Sequence, residues 1–395
     1  MLLTAPSALR LRALYNPSSH SGRAERRVRA WAKGPRALPI AWTPSRSPEH
    51  LCELIRAAQS ERLDALLLAG GDGTVTLAAE ALAGIEQRVP LAILPAGSGN
   101  DFARDLGVVG ELADPTALLA RGRARAVDLI EVRAGGERAR AACVASVGFD
   151  ARALELIHGS RFRRSKLLNV VSSLRALLSE PAAELRVRWE GGCYEGRALL
   201  VGVTNTRGYG GGFLLSPGAR LDDGLLDLCL IEDVGRARLL AEFPKIFRGE
   251  HGDTPGVHLL QSPWVRIESL AGELPLCLDG ERPLHATPVE LRCLPGALRV
   301  VAPRASEGGL GDRSTAESQS LRRGRAAQFE GDARAATLLD AVEPAEALAA
   351  TDTRAATSDR GTLSAQPLRP LRLCGESKHQ SATGTEPDPT EQEAA

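Results

Sequence analysis

The sequence predicts an α/β fold followed by an all-β one. A three-layer α/β domain with a parallel sheet covers residues 9–130, an antiparallel β-sandwich covers 131–303, and a disordered tail covers 304–395. Three observations lead there. In the first third, apolar runs alternate with helical patterns, the rhythm of βαβ units in a right-handed parallel sheet. Beyond about residue 131 the runs become short and alternating, separated by glycine-rich turns, which is antiparallel patterning. The last 92 residues hold one aromatic, Phe329, and are rich in Ala, Arg, Glu, Ser, Thr and Gly. So little apolar surface does not offset chain entropy.

The elements follow in order. Leu9 to Tyr15 reads as the first strand, and Asn16-Pro17-Ser18-Ser19-His20-Ser21-Gly22 as a polar turn into a helix from Glu25 to Lys33. Leu38 to Trp42 is a short strand ended by Thr43, which is placed to cap the helix Pro48–Ser60. Leu63 to Ala69 and Leu91 to Pro95 are apolar enough to be buried parallel strands. A helix over Pro115–Ala120 leads to a strand from Arg125 to Arg133 that carries Val127-Asp128-Leu129. The second half offers strands at Ala141–Val147, Leu185–Trp189, Ala198–Asn205, Leu225–Ile231, Val265–Glu268, Leu274–Cys277, Val289–Cys293 and Ala297–Val301. A helical insert, Ala151 to Ser179, interrupts them, and the last strand is open to either domain.

Two of the strands run into glycine loops. Leu66-Leu67-Leu68-Ala69 enters Gly70-Gly71-Asp72-Gly73-Thr74, and Leu91-Ala92-Ile93-Leu94-Pro95 enters Gly97-Ser98-Gly99-Asn100-Asp101. Glycines let amide N–H groups approach an anion, and the following helix adds its dipole. Two such loops at the carboxyl edge of one sheet suit a phosphate chain. Neither carries the Gly-Lys-Ser/Thr of a P-loop, nor the G-x-G-x-x-G of a dinucleotide site. A carboxylate inside a phosphate loop, as at Asp72 and Asp101, makes sense with Mg²⁺ between the two.

At these residues the chain resembles the soluble diacylglycerol kinase-like lipid kinases, relatives of sphingosine and ceramide kinases. GGDGT alone is shared with NAD kinases and more loosely with phosphofructokinases; Gly97-Ser98-Gly99-Asn100-Asp101-Phe102-Ala103 narrows the resemblance to the lipid-kinase branch. It covers roughly residues 9–303. The resemblance implies ATP on Gly70, Gly71, Asp72, Gly73, Thr74, Gly97, Ser98, Gly99, Asn100 and Asp101, with Thr43 as a nucleotide contact. It adds Asn16 and Ser19 from a turn that is two residues longer than the family's. Asp72 holds the Mg²⁺, with Asp101 and Asp128. Ser146-Val147-Gly148-Phe149-Asp150-Ala151 matches G-F-D-A, where Asp150 also reads as a helix cap.

Leu221-Asp222-Asp223-Gly224-Leu225-Leu226-Asp227 matches a motif that folds around a structural Mg²⁺. Its ligands carry over to the Arg220 carbonyl, Asp223 and the Leu225 carbonyl; a plain Asp-Gly turn is the other reading. Leu278-Asp279-Gly280-Glu281 matches the family's D-G-E. Glu281 is then the base that takes the lipid proton and Asp279 its helper, and their spacing leaves the reverse assignment open. One departure stands out: the family has Glu three residues after the GGDGT threonine, where this chain has Leu77. Glu80, one turn later, reads as a solvated helix residue.

Composition sets the remaining bounds. Lys plus Arg and Asp plus Glu both number 49, so no global charge argues for nucleic acid. The seven cysteines are scattered, which fits neither a disulfide framework nor a zinc site and suits a reducing cytoplasm. No signal peptide and no run of about 18 apolar residues is read. The expected location is cytoplasmic, peripheral at the inner face of the membrane. Arg161, Arg163, Arg164 and Lys166 on the helical insert are a candidate membrane-facing cluster, or else a solvated basic face. An exposed strand edge permits a homodimer. The first expectation is thus an ATP- and Mg²⁺-dependent kinase with a membrane lipid as acceptor, most simply diacylglycerol. The alternatives are a NAD kinase-like enzyme and a non-catalytic nucleotide-binding protein, the latter supported by Leu77.

Overall fold

The computed structural model describes residues 9–17, 19, 22–34, 38, 40–150, 153, 175–210, 212–280 and 282–303. Glu281, the basic cluster at 161–166 and the tail from 304 lie outside the described residues.

The first lobe alternates strands and helices. β1 (Leu11–Tyr15), β3 (Ala65–Gly70) and β4 (Leu91–Pro95) pair in parallel, with β2 (Trp42–Pro44) on the outer side of β1. Every residue of β3 and β4 is buried, as a strand covered on both faces requires. The covering helices are α1 (Arg23–Lys33), α2 (Pro48–Ala58), α3 (Asp72–Ala81), α4 (Asp101–Asp105) and α5 (Pro115–Arg121). Helix α2 starts where Ser47 Oγ accepts the His50 N–H at 3.1 Å, and Pro48 occupies the first turn. Ser47 is therefore the cap, and Thr43 lies inside β2, paired with Leu14. β2 falls later than the expected Leu38–Trp42. Ile40 N–H instead turns back to the Leu38 carbonyl at 2.8 Å, so that stretch runs irregularly.

The second lobe is antiparallel. β5 (Gly122–Ala134), β6 (Glu137–Ala141), β7 (Val144–Gly148), β8 (Ala183–Trp189), β9 (Gly192–Thr204) and β10 (Leu226–Glu232) are followed by α6 (Arg236–Glu242). β11 (Val257–Ser262), β12 (Trp264–Ser269), β13 (Leu274–Leu278), β14 (Arg282–Ala286) and β15 (Val289–Pro303) complete it. The stretches read as two strands, Val289–Cys293 and Ala297–Val301, form one. A bulge between Leu294 and Leu298 absorbs Pro295-Gly296, and β15 pairs along its length with β5. β15 also pairs with β12, and Val300 pairs in parallel with Leu91 of β4. The strand thus leaves the second lobe and ends in the first, joining both into one sheet. Separate apolar cores lie on either side, around Leu66, Leu94 and Phe102 in one and Val187, Val201 and Leu276 in the other.

Candidate active site

The carboxyl edge of the parallel sheet collects most of the expected nucleotide residues. Asn16 follows β1, and its N–H donates to the Ala69 carbonyl at 3.2 Å, against the end of β3. Thr43 is the middle residue of β2 and pairs with Leu14 of β1, two residues before Asn16. Gly71 precedes α3 and lies against the second loop: a Cβ on Gly71 would come 2.9 Å from Gly97 Cα, and one on Gly97 only 2.4 Å from Gly71 Cα. The same Gly71 position would face Ser19 Oγ at 3.8 Å. Two backbones this close require glycine on both sides. A Cβ on Gly70 would strike Thr74 Oγ1 at 2.2 Å, so that residue too is held to glycine by its neighbour.

The second loop is braced internally. Asn100 takes the left-handed conformation at φ 55°. Its amide accepts the Gly97 N–H at 2.7 Å and donates to the Gly97 carbonyl at 2.9 Å. Arg27 donates to the Pro95 carbonyl, and Arg104 donates to the Gly99 carbonyl at 2.7 Å while pairing with the Asp101 carboxylate.

Asp72 is the first residue of α3, and its Oδ1 accepts the Phe102 N–H at 3.0 Å. The carboxylate of the first loop therefore holds the start of the helix that follows the second. Asp101 is 4% exposed. Burial raises the Asp72 carboxyl to about 7, the Asp101 charge adds to this, and Asp279 adds less. Two acids in one desolvated place repel, and a divalent cation between them relieves the repulsion. Mg²⁺ is commonly held by one or two carboxylates plus phosphate oxygens, so Asp72 and Asp101 fit it. Among the described residues no cluster of three or more His, Cys, Asp or Glu side chains could hold a metal by itself.

Asp128 is employed elsewhere. It is 3% exposed, and its two oxygens accept the Gly224 N–H at 2.8 Å and the Gly296 N–H at 2.7 Å. It clamps the Asp222-Asp223-Gly224 turn and the β15 bulge, and the contacts of its carboxylate do not include the glycine loops. At that turn Asp222 pairs with Arg125, Asp223 Oδ1 accepts the Leu225 N–H at 3.1 Å, and Gly224 has φ 74°. Asp227 lies close by. Burial and then the Asp223 charge raise it to about 7, and its Oδ2 is buried with no hydrogen-bond partner. An orphaned carboxylate oxygen beside Asp223 suits a hard cation at the expected place of Arg220, Asp223 and Leu225. Asp227 was not among the residues singled out from the sequence for this metal.

Asp279 has φ 48° and sits in the turn between β13 and β14. Its Oδ1 accepts the N–H groups of Cys143 at 2.9 Å and Val144 at 2.8 Å. Its Oδ2 accepts that of Ala142 at 2.8 Å and also the Thr76 hydroxyl. Burial pushes its carboxyl up, against the pull of these donors. The carboxylate thus spans the lobes.

Several contacts across the lobes had no local sign in the sequence. Arg207 grips Asp105 at the end of α4 with its backbone N–H (2.6 Å), Nε (3.1 Å) and Nη2 (2.9 Å). Gly208 follows against Asp101, where a Cβ would come 3.0 Å from Oδ1. Glu80, expected in solvent, accepts the Arg140 N–H of β6 at 2.8 Å. Asp150 accepts the Ser146 hydroxyl and lies 3.5 Å from the Tyr209 hydroxyl, inside the second lobe.

Residues 10–132 match the family described as diacylglycerol kinase catalytic domain, and 143–302 match the YegS C-terminal NAD kinase beta sandwich-like domain. The chain is 30% identical over 304 residues to the diacylglycerol kinase of Mycobacterium tuberculosis (strain ATCC 25618 / H37Rv), which spans 74% of this chain and 94% of that protein. It is 30% identical over 273 residues to a protein of Stenotrophomonas maltophilia (strain K279a) named Probable lipid kinase YegS-like, with 67% and 85% covered. Its fold is similar to a crystal structure of a diacylglycerol kinase from Bacillus anthracis str. Sterne. That match has a TM-score of 0.56 at 22% identity and covers 75% of this chain and 97% of the other.

Proposed function

The chain belongs to the diacylglycerol kinase-like lipid kinase family, and from that premise we propose that it transfers the γ-phosphate of ATP to the hydroxyl of diacylglycerol, giving phosphatidic acid. The observation that carries this reading is the meeting of the two glycine loops at Gly71 and Gly97, with Asp72 and Asp101 at the mouths of the helices behind them. Phosphoryl transfer asks the protein mainly for positioning and for stabilisation of spreading charge. Backbone N–H groups of the loops would hold the phosphate oxygens. Mg²⁺, when bound by Asp72 and Asp101, would neutralise charge on the phosphates.

Glu281 follows Asp279 by two residues in the sequence. In this proposal it accepts the proton of the lipid hydroxyl as the oxygen attacks the γ-phosphorus and the bond to the β-phosphate oxygen breaks, releasing ADP. Asp279, saturated by four donors, serves the reaction by fixing the turn that carries Glu281. A second Mg²⁺ at Arg220, Asp223 and Leu225 would stabilise the second lobe. Among the described residues no helix is long and apolar enough to cross a membrane, so the acceptor would be met at a bilayer surface.

The test is an incubation with γ-labelled ATP and Mg²⁺, using diacylglycerol, monoacylglycerol, a sphingoid base, ceramide, phosphatidylglycerol and NAD as acceptors, with products separated by chromatography. Label in phosphatidic acid is expected. Label in NADP, or no transfer to any lipid, would overturn the reading.

A further inference from the structure

Helix α3 carries the nucleotide-side carboxylate at its first residue, and residues 72, 76 and 80 lie four apart, on one face. All three meet the second lobe. Asp72 Oδ1 lies 3.9 Å from Cys143 Sγ. Thr76 donates its hydroxyl to Asp279 Oδ2, and its oxygen is 3.2 Å from the Asp72 carbonyl one turn back. Glu80 accepts the Arg140 N–H at 2.8 Å, and Arg140 Nη1 returns a bond to the Ala79 carbonyl at 3.3 Å. The opposing surface is the backbone from 140 to 144, whose amides at 142, 143 and 144 all end on the same Asp279. Leu77, between Thr76 and Glu80 on the helix, packs on the first-lobe core instead, and its carbonyl accepts from Cys52 Sγ at 3.5 Å.

We propose that Thr76 and Glu80 are positioning residues that lock α3 to the second lobe, through Asp279 and the Arg140 amide. They thereby hold Asp72 in register with the turn that bears Glu281. This rests on the kinase reading for its catalytic consequence, while the lock itself is a structural claim. Thr76 stands four residues, about 6 Å along the axis, from Asp72. Asp279 stands two residues from Glu281. The one hydroxyl contact therefore fixes the span between the phosphate end of the site and the acceptor end. A misplacement of about 1 Å at such a joint costs on the order of 10² in rate. Glu80 supplies a second point of attachment, which keeps α3 from pivoting about the first.

Four variants test this. Thr76→Val keeps shape and removes the hydroxyl, and Thr76→Ser restores it. Glu80→Ala removes the acceptor, and Glu80→Gln keeps an oxygen in its place. Three readouts are needed: kcat at saturating ATP and lipid, ATP affinity by direct titration, and amide hydrogen exchange of residues 140–144. The expected result for Thr76→Val is a fall in kcat of about 10- to 100-fold with ATP affinity changed less than about threefold. Its amides 142–144 exchange faster, and Thr76→Ser returns both readouts toward wild type. Glu80→Ala speeds exchange at Arg140 and Glu80→Gln does not. The proposal is overturned if Thr76→Val and Glu80→Ala lower only the melting temperature while kcat and exchange at 140–144 stay at wild-type values. If the wild-type protein transfers phosphate to no acceptor, the kinase reading fails, and the exchange data alone then decide the lock.

Discussion

At the residue scale the site is a problem of crowded carboxylates. Asp72 titrates near 7 in the fold, against about 3.9 in an unfolded chain. An acid with a raised folded value keeps its proton longer when folded. The stability from that proton is complete below about pH 4 and is lost as pH rises toward 7. The metal-free wild type should therefore lose melting temperature between pH 5 and pH 8 relative to Asp72→Asn. Asp105 and Asp227 are also raised, but they are present in both proteins and cancel in the comparison; Asp279, raised too, is relieved of the Asp72 charge in the variant, which moves the comparison in the same direction. Parallel pH profiles of the two would contradict the electrostatic account of Asp72. Asp72→Asn keeps an oxygen for the Phe102 N–H, so it should fold, yet turnover should drop by about 10² or more, the scale of lost charge stabilisation. Wild-type turnover in that variant would remove Asp72 from the chemistry. That Asp72 and Asp101 stand at two adjoining glycine loops was legible because acid and glycine lie together in a few consecutive residues. Asp128 was not, because the two amides that occupy it come from positions 96 and 168 residues away.

At the element scale the two glycine loops act as one unit. They touch at Gly71 and Gly97, and Asp72 of one caps the helix of the other. Gly97→Ala places a methyl 2.4 Å from Gly71 Cα. Overpacking of this kind costs about 1–3 kcal/mol, and it also parts the two sets of N–H groups. Gly97→Ala should thus lower the melting temperature and weaken ATP binding together, measured by thermal melts and titration. Unchanged values in both would show that the loops do not depend on the contact. The strand-loop-helix units of the first lobe were readable from sequence, since parallel buried strands and their glycine exits are local patterns. β11, β14 and α6 were not read. Val257–Ser262 lacks a clean alternation, and the Arg282–Ala286 strand contains Pro283 and His285, which mask its pairing with β13. β15 was read as two strands because Pro295-Gly296 looks like a turn; its long partner β5 carries it across that bulge.

At the scale of the whole molecule the lobes share one sheet, with β5 and β15 running through both. Contacts at Asp105–Arg207, Thr76–Asp279 and Glu80–Arg140 add to this. Unfolding should be cooperative across the lobes. Trp31 and Trp42 report the first lobe and Trp189 and Trp264 the second. Replacing either pair by Phe isolates the other's fluorescence, and the two melts should coincide. Separate midpoints would show lobes that unfold independently. Composition, by contrast, says that residues 306–395 contribute little, so their deletion should leave melting temperature and turnover nearly unchanged. The two-lobe plan was visible in the change of texture near residue 131, whereas the seam between the lobes was not. Its bonds join positions as far apart as 203 residues, which no periodicity records.

In the proposed reading, phosphoryl transfer takes place between the paired loops and the turn that follows β13. It is tested most directly by Glu281→Gln, with turnover on diacylglycerol and ATP affinity measured separately. A general base contributes on the order of 10² to 10⁴ in rate. A fall in kcat within that range is expected, with ATP affinity little changed. Wild-type turnover in Glu281→Gln would contradict it and take this turn out of the active site.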